Sequence, residues 1–432
     1  MTGKYGIIKS KKIKEIRSMS EAPFQEWLSW LDNRQEEMLA ATIALANINS
    51  GSLNHAGVKA VGDELCKLAA PLEGNVEQIP MPAHQVIDDT GQIKQYPLAN
   101  AIRITKRPQA PMKVFLCGHM DTVFAVDHPF QQVKWLDNNT INGPGVADLK
   151  GGLVVMLNAL ACLERSPLAE KIGWEILFNP DEEIGSPGSS SLFAECAQRN
   201  HVGMIYEPCF PNGDFAGQRK GSGNFSVVVT GKAAHAGREH HLGRNAIRAM
   251  ADFISALDDF NQQRDTITVN PGYVHGGGPV NVVPDNCVSQ FNIRTTTAED
   301  EAWCQQKLSE LTASINQREG ITLQLHGGFG RPPKCLTPAN QRLFSLAKQC
   351  GQQIGLDLAW HPTGGCCDGN NLAAYGLPNI DTLGVQGGKI HSDQEYMLVS
   401  SLVERAKLSA LLLFHLANDH SENWERGEHA SG

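Results

Sequence analysis

The chain has 432 residues, of which 41% are hydrophobic and 19% charged, and this composition excludes a disordered, collagen-like or coiled-coil protein. At this length we expect a soluble globular protein of two or three domains, each with its own core. The formal net charge of −9 argues against a nucleic-acid binder that neutralises phosphates, and it is compatible with bound cations.

Eleven cysteines, an odd number without regular spacing, do not form the framework of a disulfide-stapled secreted protein, so a reducing compartment is expected. The basic residues between Lys4 and Arg17 are not followed by the apolar stretch of a signal peptide, and we interpret them as a solvated leader. No run approaches the roughly 18 to 20 apolar residues of a membrane span. The sequence therefore predicts a cytoplasmic protein with no membrane partner.

Helical spacing of apolar residues over residues 24–68, interrupted at residues 49–51, predicts an N-terminal helical region. After it, short apolar runs alternate with helical stretches, which is typical of an α/β domain with a largely parallel sheet. The predicted strands cover residues 114–117, 174–178 and 204–206, and the predicted helices cover residues 152–163 and 191–199.

A second pattern begins after Gly217, where strand, helix, strand, helix and strand follow one another and predict a compact α+β unit. These elements cover residues 224–230, 245–257, 287–294, 299–317 and 321–325. Helical patterns return at residues 341–354 and 398–416, with a strand at residues 379–383 between them. We therefore predict a main domain in two parts, residues 1–217 and 331–432, with a smaller domain inserted at residues 218–330.

His119 directly follows the predicted strand at residues 114–117. Ligand sites in open α/β sheets gather at the carboxyl ends of the strands, so this histidine is well placed to bind a ligand. Asp121, two residues further, can lie behind the imidazole and fix its tautomer through a hydrogen bond. Taken alone, such a pair is more typical of a structural hydrogen bond than of a metal site.

Asp148 lies in the glycine-rich turn at residues 143–152, which opens a predicted helix. A phosphate-binding loop is the alternative interpretation. It is disfavoured because Asp148 stands where G-x-G-x-x-G needs its last glycine, and a carboxylate there would repel a pyrophosphate. The two carboxylate oxygens could instead bridge two cations, which two-metal hydrolases hold about 3.5 to 4 Å apart.

Further acids follow the next predicted strands: Asp181, Glu182 and Glu183 come after residues 174–178, and Glu207 comes after residues 204–206. An acidic triplet is usually a solvated turn, but this one lies at the same predicted sheet edge. His391 follows a glycine-rich loop near the end of the chain. Two histidines and three carboxylates suit Zn, Co or Mn better than Ca or Mg, and a structural zinc site would use thiolates instead.

In this order, the segments GHMDTV, GPGVADLKGG, NPDEEIGS, YEP and IHSD resemble the motifs of the M20 family of dinuclear zinc peptidases and amidases. The carboxypeptidase G2-like branch, whose members release C-terminal glutamate, is the most similar. The resemblance implies an α/β catalytic domain with an inserted lid and dimerisation domain, and two Zn²⁺ per chain, with Co²⁺ or Mn²⁺ as alternatives. It implies that His119 and Glu207 bind one metal, that Glu183 and His391 bind the other, and that Asp148 bridges both.

The resemblance also assigns supporting roles. Asp121 would orient the first histidine, and Glu182 would be the general base. A cis peptide bond is implied between Asp148 and Leu149. The desuccinylase and deacetylase branches usually have aspartate where this chain has Glu207, so the glutamate favours the carboxypeptidase-like branch.

In the inserted domain, His235 in the segment GKAAHAG resembles the histidine of the family's lid, which reaches the scissile carbonyl, often in the partner subunit. We therefore expect His235 to stabilise an oxyanion and the chain to form a homodimer through this domain. Asn281 and Arg294 resemble the residues that bind the substrate's carbonyl and carboxylate, and arginine suits a carboxylate because its planar fork binds both oxygens.

One loop departs from the family. Where the carboxypeptidase-like branch has T-G-G-G-T-D, this chain has Thr363 followed by Gly-Gly-Cys-Cys-Asp. The loop, with Gly365, is expected on the substrate-binding side, so the family's substrate cannot simply be transferred. Cys366 or Cys367 as a nucleophile is an alternative that we disfavour, because a thiolate beside two zinc ions would be trapped as a ligand.

The sequence thus predicts a metal-dependent hydrolase that cleaves an amide or peptide bond and releases a C-terminal amino acid, with glutamate as one candidate. The implied mechanism is attack by a metal-bridging hydroxide with Glu182 as the general base. Two alternatives stay open. One is an N-acyl amino acid deacylase that uses the same site, and the other is a metal-binding homologue without catalysis.

Overall fold

The structure is a computed structural model that describes residues 24–424, so the basic leader lies outside the described residues. Its helices are α1 (24–32), α2 (Gln35–Ala46), α3 (His55–Ala69), α4 (Gly151–Glu164), α5 (Ser190–Arg199), α6 (Ala246–Asp258), α7 (Ala298–Asn316), α8 (Pro338–Gln353), α9 (Asp368–Ala374) and α10 (Ser401–Ala417). The first three occupy the predicted helical region and break at the predicted residues 49–51.

The strands alternate with these helices along the chain. They are β1 (Asn75–Ile79), β2 (His84–Ile87), β3 (Ile93–Tyr96), β4 (Ala101–Lys106), β5 (Met112–His119), β6 (Lys134–Trp135), β7 (Thr140–Asn142), β8 (Ile172–Asn179), β9 (Val202–Ile205), β10 (Phe215–Arg219), β11 (Gly221–Thr230), β12 (Ala234–His235), β13 (Thr268–Gly276), β14 (Val282–Val283), β15 (Asn286–Thr295), β16 (Thr322–Arg331), β17 (Trp360–Thr363), β18 (Asn379–Ile380), β19 (Gly387–Gly388) and β20 (Tyr396–Leu398).

The main sheet has six strands in the order β1-β4-β8-β5-β9-β18. Strands β8, β5, β9 and β18 run parallel to one another, which confirms the predicted α/β class with a mostly parallel sheet. Strands β4 and β1 extend it as an antiparallel edge that the sequence analysis did not predict. Because β8, β5 and β9 are neighbours and parallel, their carboxyl ends meet at one edge of the sheet.

Helix α4 crosses from β5 to β8 and is the most buried helix of the main domain. By length and composition, residues 146–164 would pass as a membrane span, contrary to our expectation that no such run exists. In the structure, 89% of that window is buried inside the protein, and it packs most extensively against α10. This burial explains the apolar composition, since a helix that is hydrophobic all round is typical of a protein core.

The inserted part of the chain forms a second sheet in the order β13-β15-β11-β16, in which all neighbours are antiparallel. Helices α6 and α7 pack on it around a separate core that includes Phe253, Phe291 and Leu308. Strand β13 was not predicted, because most of its side chains are exposed and its register shifts after Pro271. The sheet begins at Gly221 and ends at Arg331, and the domain limits at 218 and 330 stay predictions.

The hairpin formed by β2 and β3 belongs to the main domain by sequence, but it packs on the inserted sheet. Ile87 forms a small apolar cluster with Val228 and Val288. Beside it, the Tyr273 hydroxyl donates a hydrogen bond to the Asp89 carboxylate over 2.6 Å. The hairpin therefore ties the two domains together on the side of the inserted sheet that its helices leave free.

The C-terminal end of the described chain continues in regular structure after α10. Residues Ser421–Trp424 form a short turn in which Trp424 is only 1% exposed. Its ring nitrogen donates a hydrogen bond to the Asp419 carboxylate. A buried tryptophan fixes this part of the tail, and residues 425–432 lie outside the described part of the chain.

Candidate metal centre

Three neighbouring strands of the main sheet end at the same edge, and most of the candidate ligands lie at or just after these strand ends. His119 is the last residue of β5, the acidic turn follows β8, and Glu207 follows β9 by two residues. Asp148 lies in the turn at Val146–Lys150, which enters α4, and the backbone leaves helical geometry at Asp148. His391 comes from the loop between β19 and β20. The predicted edge thus gathers residues from five separate segments.

The five candidate ligands form two groups that share Asp148. In one group, potential ligand atoms of His119, Asp148 and Glu207 lie within 4.8 Å of one another. In the other, those of Asp148, Glu183 and His391 do the same. Both groups consist of the residues that the family resemblance assigned to them.

Asp148 faces an imidazole with each of its carboxylate oxygens. Its Oδ1 lies 3.1 Å from Nε2 of His119, and its Oδ2 lies 3.2 Å from Nε2 of His391. Around these contacts, the Nε2 of His391 lies 3.2 Å from Glu183 Oε2, and the Nε2 of His119 lies 4.0 Å from Glu207 Oε1. A carboxylate with one oxygen directed into each group has the geometry of a bridging ligand.

Asp121 is fully buried behind His119 and contacts two parts of the site. The Nδ1 of His119 lies 3.3 Å from its Oδ1 and 3.0 Å from its backbone oxygen. The same carboxylate accepts the backbone N–H groups of Glu182 and Glu183 and the hydroxyl of Ser52. Asp121 therefore orients the acidic turn as well as the histidine, which the sequence analysis did not anticipate.

The protonation preferences of the cluster reflect this pairing. Burial alone would lower the pKa of His119, but hydrogen bonds to Asp121 and Asp148 raise it well above the ordinary value. Contacts with Asp148 and Glu183 raise the pKa of His391 to about 11. Burial opposes ionisation of Asp148, yet the two imidazoles lower its pKa overall. The surroundings of Asp148 thus favour positive charge on both of its sides.

The two glutamates show the opposite tendency. Burial, followed by repulsion from Asp148, raises the pKa of Glu183 to about 8. Burial also raises the pKa of Glu207 well above its usual range. Among the described residues, Oε1 of Glu207 is buried without a hydrogen-bond partner. Oxygen and imidazole donors crowded in this way fit two divalent cations of the Zn, Co or Mn type, which would pair with the buried carboxylates.

Glu182, the predicted general base, lies next to the cluster and contacts an arginine. The Nη2 of Arg331 donates to Oε1 of Glu182 over 2.7 Å and to its backbone oxygen over 2.9 Å. Burial raises the pKa of Glu182 to about 7, although the charge of Arg331 opposes this shift. Among the described residues, Oε2 of Glu182 makes no hydrogen bond, so one of its oxygens is free to take a proton.

The sequence analysis missed the residues that hold this glutamate. Arg331 ends β16, is 4% exposed, and also donates to Asp368 over 2.8 Å. Asp368 in turn accepts from Asn179, the last residue of β8, and from Ser186, which follows the acidic turn. The sequence does place this arginine in the turn-rich segment GGFGRPPK, where the chain is predicted to re-enter the main domain. Nothing in the neighbouring sequence, however, indicates its partner.

His235 and Asn281 lie together in the inserted domain and do not take part in the hydrogen bonds described for the ligand cluster. His235 ends β12 and Asn281 directly precedes β14, and beside the ribbon of these two strands the backbone N–H of Ala236 donates to the Asn281 backbone oxygen. Both are exposed. The imidazole of His235 accepts the backbone N–H groups of Gly237 and Arg238, and within the described residues no hydrogen bond or ion pair joins either residue to the metal ligands.

Arg294 occupies a different position, because it reaches the main domain. Its Nε donates to Asn292, and its Nη1 lies 3.0 Å from the Sγ atom of Cys366. Gly365, next to this cysteine, is exposed, and its oxygen accepts from Arg219 over 3.4 Å. The predicted carboxylate-binding arginine and the divergent loop are therefore in direct contact across the two domains.

The two adjacent cysteines have separate environments. Cys367 is buried at the start of α9, its sulfur accepts the backbone N–H of Gly369, and burial raises the pKa of its thiol well above the usual range. Such a thiol is a poor nucleophile. Cys366 is half-buried against Arg294, and neither cysteine belongs to the ligand groups found among the described residues. The structure thus gives no support to a cysteine nucleophile at position 367.

The peptide bond between Asp148 and Leu149 is cis, as the family resemblance implies. Separately, three residues at the site have left-handed backbone angles although they are not glycines, namely Ser186, Lys389 and His391. Such conformations persist only where the surroundings enforce them. The backbone at His391 and beside the acidic turn is therefore held by its neighbours rather than by local preference.

Comparison with known proteins gives matches that span this whole site. A model for "peptidase family M20/M25/M40" matches residues 115–415, more than half of the chain. Carboxypeptidase G2 from Pseudomonas sp. (strain RS-16) is 28% identical over 314 residues, which cover 70% of this chain and 74% of the relative. A succinyl-diaminopimelate desuccinylase from Bordetella bronchiseptica is 26% identical over 332 residues, covering 70% of this chain and 84% of the relative.

The fold is also that of solved structures. The aminopeptidase PepT from Bacillus cereus superimposes with a TM-score of 0.67 at 22% identity, covering 89% of this chain and 99% of that one. At this level of identity the similarity shows the fold alone. The region that the family model matches, residues 115–415, contains all five candidate ligands.

Proposed function

The chain belongs to peptidase family M20/M25/M40 and is a metallopeptidase or amidohydrolase; within that class, we propose that it acts as a carboxypeptidase that releases a C-terminal amino acid, with glutamate as the first candidate. Two observations support this choice within the family. One is the similarity to carboxypeptidase G2, and the other is the glutamate at position 207. The single observation that carries the hydrolytic function is Asp148, whose two oxygens each face an imidazole of a separate ligand group.

We assign one metal position to His119, Asp148 and Glu207, and the other to Asp148, Glu183 and His391. Zinc is the proposed metal, with cobalt or manganese as alternatives, because nitrogen and carboxylate donors suit these ions. When bound, the two cations would lower the pKa of water and polarise the substrate carbonyl.

In the proposed mechanism, Glu182 moves the proton. Its free Oε2 accepts a proton from the attacking water and returns it to the leaving nitrogen, as general acid–base catalysis requires. Arg331 holds the other oxygen, Oε1, over 2.7 Å and so directs Oε2 away from itself. The Asp121 carboxylate accepts the backbone N–H of Glu182 and so fixes the backbone of this base relative to His119.

The inserted domain would bind the substrate. Arg294 would bind the α-carboxylate, and its Nη2 makes no hydrogen bond within the described part of the chain. Asn281 would bind a substrate carbonyl, and His235 would donate to the oxyanion that forms in the transition state. Gly365 lies next to Cys366, the contact of Arg294, and would line the same carboxylate subsite.

We further propose that the chain forms a homodimer through the inserted domain and that His235 acts in the partner's site. Support comes from exposed apolar side chains of the inserted domain on β13, on β14 and in the loop between these strands. Val274 is 59% exposed, Val280 is fully exposed, and Val282 is 39% exposed. Contiguous exposed apolar residues are typical of protein interfaces. Light scattering at several concentrations tests the dimer, and a monomer at every concentration would contradict it.

A reducing, cytoplasmic location is also a proposal. It is supported by the cysteines, since all eleven are free in the structure and most are buried. A protein that matured in an oxidising compartment would more often pair them. Thiol titration of the native and unfolded protein checks this, and fewer free thiols than cysteines would argue against it.

The test of the enzymatic proposal is amino acid release from a mixed panel. The panel contains N-acyl amino acids, dipeptides and folate-like glutamyl amides, and the protein is loaded with zinc or cobalt, with a chelated sample as the control. We expect chelator-sensitive release, fastest from glutamyl amides. Fastest release from N-acyl substrates would instead favour the deacylase alternative, which the desuccinylase relative supports. No release from protein that holds two metals would favour a non-catalytic homologue.

A further inference from the structure

Glu395 is a buried glutamate whose carboxylate accepts three backbone N–H groups. It is 1% exposed and lies just before β20. Its Oε2 accepts the N–H of Gly145 over 3.1 Å, and its Oε1 accepts those of Ala147 and Asp148, both over 3.0 Å. Within the described residues, all hydrogen bonds to this carboxylate come from the turn that carries the bridging aspartate. Glu395 therefore fixes Asp148 directly through the Asp148 backbone.

The backbone of Glu395 belongs to the loop that carries His391. The N–H of Glu395 donates to the Ser392 oxygen over 3.1 Å. The side-chain amide of Asn142 donates to the oxygens of Asp393 and Glu395, over 3.0 and 2.7 Å. His391 itself has a φ of +62°, which is unfavourable for a residue with a Cβ and needs enforcement by its surroundings. The loop is thus held from both of its sides.

We propose that Glu395 is a positioning residue for the second metal position, the one formed by Asp148, Glu183 and His391. The inference rests on the metal binding proposed above. Glu395 connects the segments that supply two of the three ligands at this position, its carboxylate holding one and its backbone belonging to the other. At the first position, His119 ends a strand of the main sheet and Glu207 follows one, so of these three ligands we expect the shared Asp148 to depend on Glu395.

A carboxylate is the side chain that this role requires. It offers only acceptors, and it faces three N–H donors. A glutamine would place its NH₂ group against either Gly145 or the pair formed by Ala147 and Asp148, so at least one buried N–H would lose its partner. The Glu395→Gln variant keeps the size of the side chain, and its effect reports the loss of an acceptor rather than a cavity.

The experiment is a titration of the metal-free protein with cobalt. Binding is monitored by calorimetry and by the visible absorption of bound Co²⁺. Wild type should bind two ions. His391→Ala removes a ligand of the second position and so identifies its binding step. We expect Glu395→Gln to weaken that same step roughly 10- to 100-fold, the range typical when groups behind metal ligands are replaced, and to change the other step less.

The matched control is Glu175→Gln. Glu175 is likewise buried, at 5% exposed, and bonded to Arg199 and Asn200, but it lies on β8 with no hydrogen bond to the ligands. This variant should leave both cobalt steps unchanged. Thermal melting of the metal-free proteins shows whether each variant is folded. If Glu395→Gln does not fold, Asn142→Ala replaces it and should weaken the second step by a smaller factor.

Three results are distinguishable. Unchanged cobalt steps in a folded Glu395→Gln variant, or in Asn142→Ala where that variant replaces it, would overturn the positioning role. Equal weakening of both steps would also overturn it, because the effect would then not be specific to the second position. A wild type that binds no second ion would contradict the proposed metal centre itself and not the role of Glu395 alone.

Discussion

The sheet edge of the main domain and the ribbon of the inserted domain hold their candidate residues in different ways. At the sheet edge, His119, Asp148 and Glu183 are linked directly or through shared partners, and Asp121 is fully buried beneath them. At the ribbon, His235 and Asn281 are exposed, and within the described part of the chain their hydrogen bonds are to backbone groups of their own domain.

This difference indicates which of the proposed catalytic groups a single chain brings together. The candidate metal ligands and the proposed base come together within a single chain. The groups proposed to stabilise the oxyanion and to bind the substrate carbonyl make no hydrogen bond or ion pair to these ligands within the described residues, so we expect them to reach a substrate by domain movement or from a second copy of the chain. Domain closure of this kind occurs in many enzymes on microsecond to millisecond timescales. The four variants below test this division.

The largest effect is expected from Glu182→Gln. The amide oxygen can still accept from Arg331, but the side chain no longer takes a proton, so we expect kcat to fall by about 10² to 10⁴-fold. Metal content, measured by atomic emission, should stay that of wild type. Near-normal kcat would contradict the role of Glu182, and Glu175→Gln serves as the control for a buried glutamate elsewhere in the main sheet.

His235→Ala should lower kcat by about 10² to 10³-fold, the range seen when one oxyanion donor is removed, without changing metal binding. His326→Ala, on the edge strand β16 of the four-stranded sheet in the same domain, is the control. The decisive measurement mixes the Glu182→Gln and His235→Ala chains after dissociation. If His235 acts in the partner's site, each mixed dimer has one complete site of its two. Because random mixing of equal amounts makes about half of all dimers mixed, the mixture should regain up to about a quarter of wild-type activity.

No recovery in dimers shown to be mixed would contradict action across the interface. In that case, His235 would have to reach the site of its own chain by domain closure. Loss of metal from either variant would instead show that the substitution disturbs the sheet edge, and the comparison between the two regions would no longer hold.

Arg294→Ala should lower kcat/KM by roughly 10- to 100-fold on substrates with a free α-carboxylate, since hydrogen bonds to charged groups contribute about 1.5 to 3 kcal/mol. Amides without that carboxylate should be affected far less. An equal loss on both substrate classes would refute the proposed contact. Arg248→Ala is the matched control, because Arg248 lies in the same domain on α6 and pairs with Asp252.

The smallest effect is expected from Cys366→Ala. The variant removes the sulfur beside Arg294 but no proposed catalytic group, so kcat should stay within about threefold while KM for carboxylate substrates shifts. A nucleophilic cysteine would instead cost several orders of magnitude in kcat. Cys335→Ala, at an exposed cysteine, is the control for removal of a thiol.

The sequence predicted the candidate site best where a potential ligand lies at the end of a predicted strand. The predicted strands at residues 114–117, 174–178 and 204–206 lie within or largely overlap β5, β8 and β9, and in parallel neighbours the strand ends must share one edge. The positions of His119 and Glu207 relative to each other follow from this rule. The pairing of ligands into two groups came from the family resemblance, and the structure brings the same residues together.

Other parts of the site could not be predicted from local pattern. Arg331 is 149 residues from its partner Glu182, and Glu395 is 247 residues from its partner Asp148. Such contacts depend on how distant loops pack, and no periodicity or turn residue records them. Strand β13 was missed for a related reason, because its side chains are mostly exposed and show no clear alternation.

The central claim is that two metal ions bind at the sheet edge with Asp148 between them. Anomalous X-ray scattering from zinc-loaded crystals, recorded on both sides of the zinc absorption edge, tests it most directly. We predict two peaks, one in contact with His119, Asp148 and Glu207, and the other with Asp148, Glu183 and His391. A single peak, or peaks that do not share Asp148, would contradict the account.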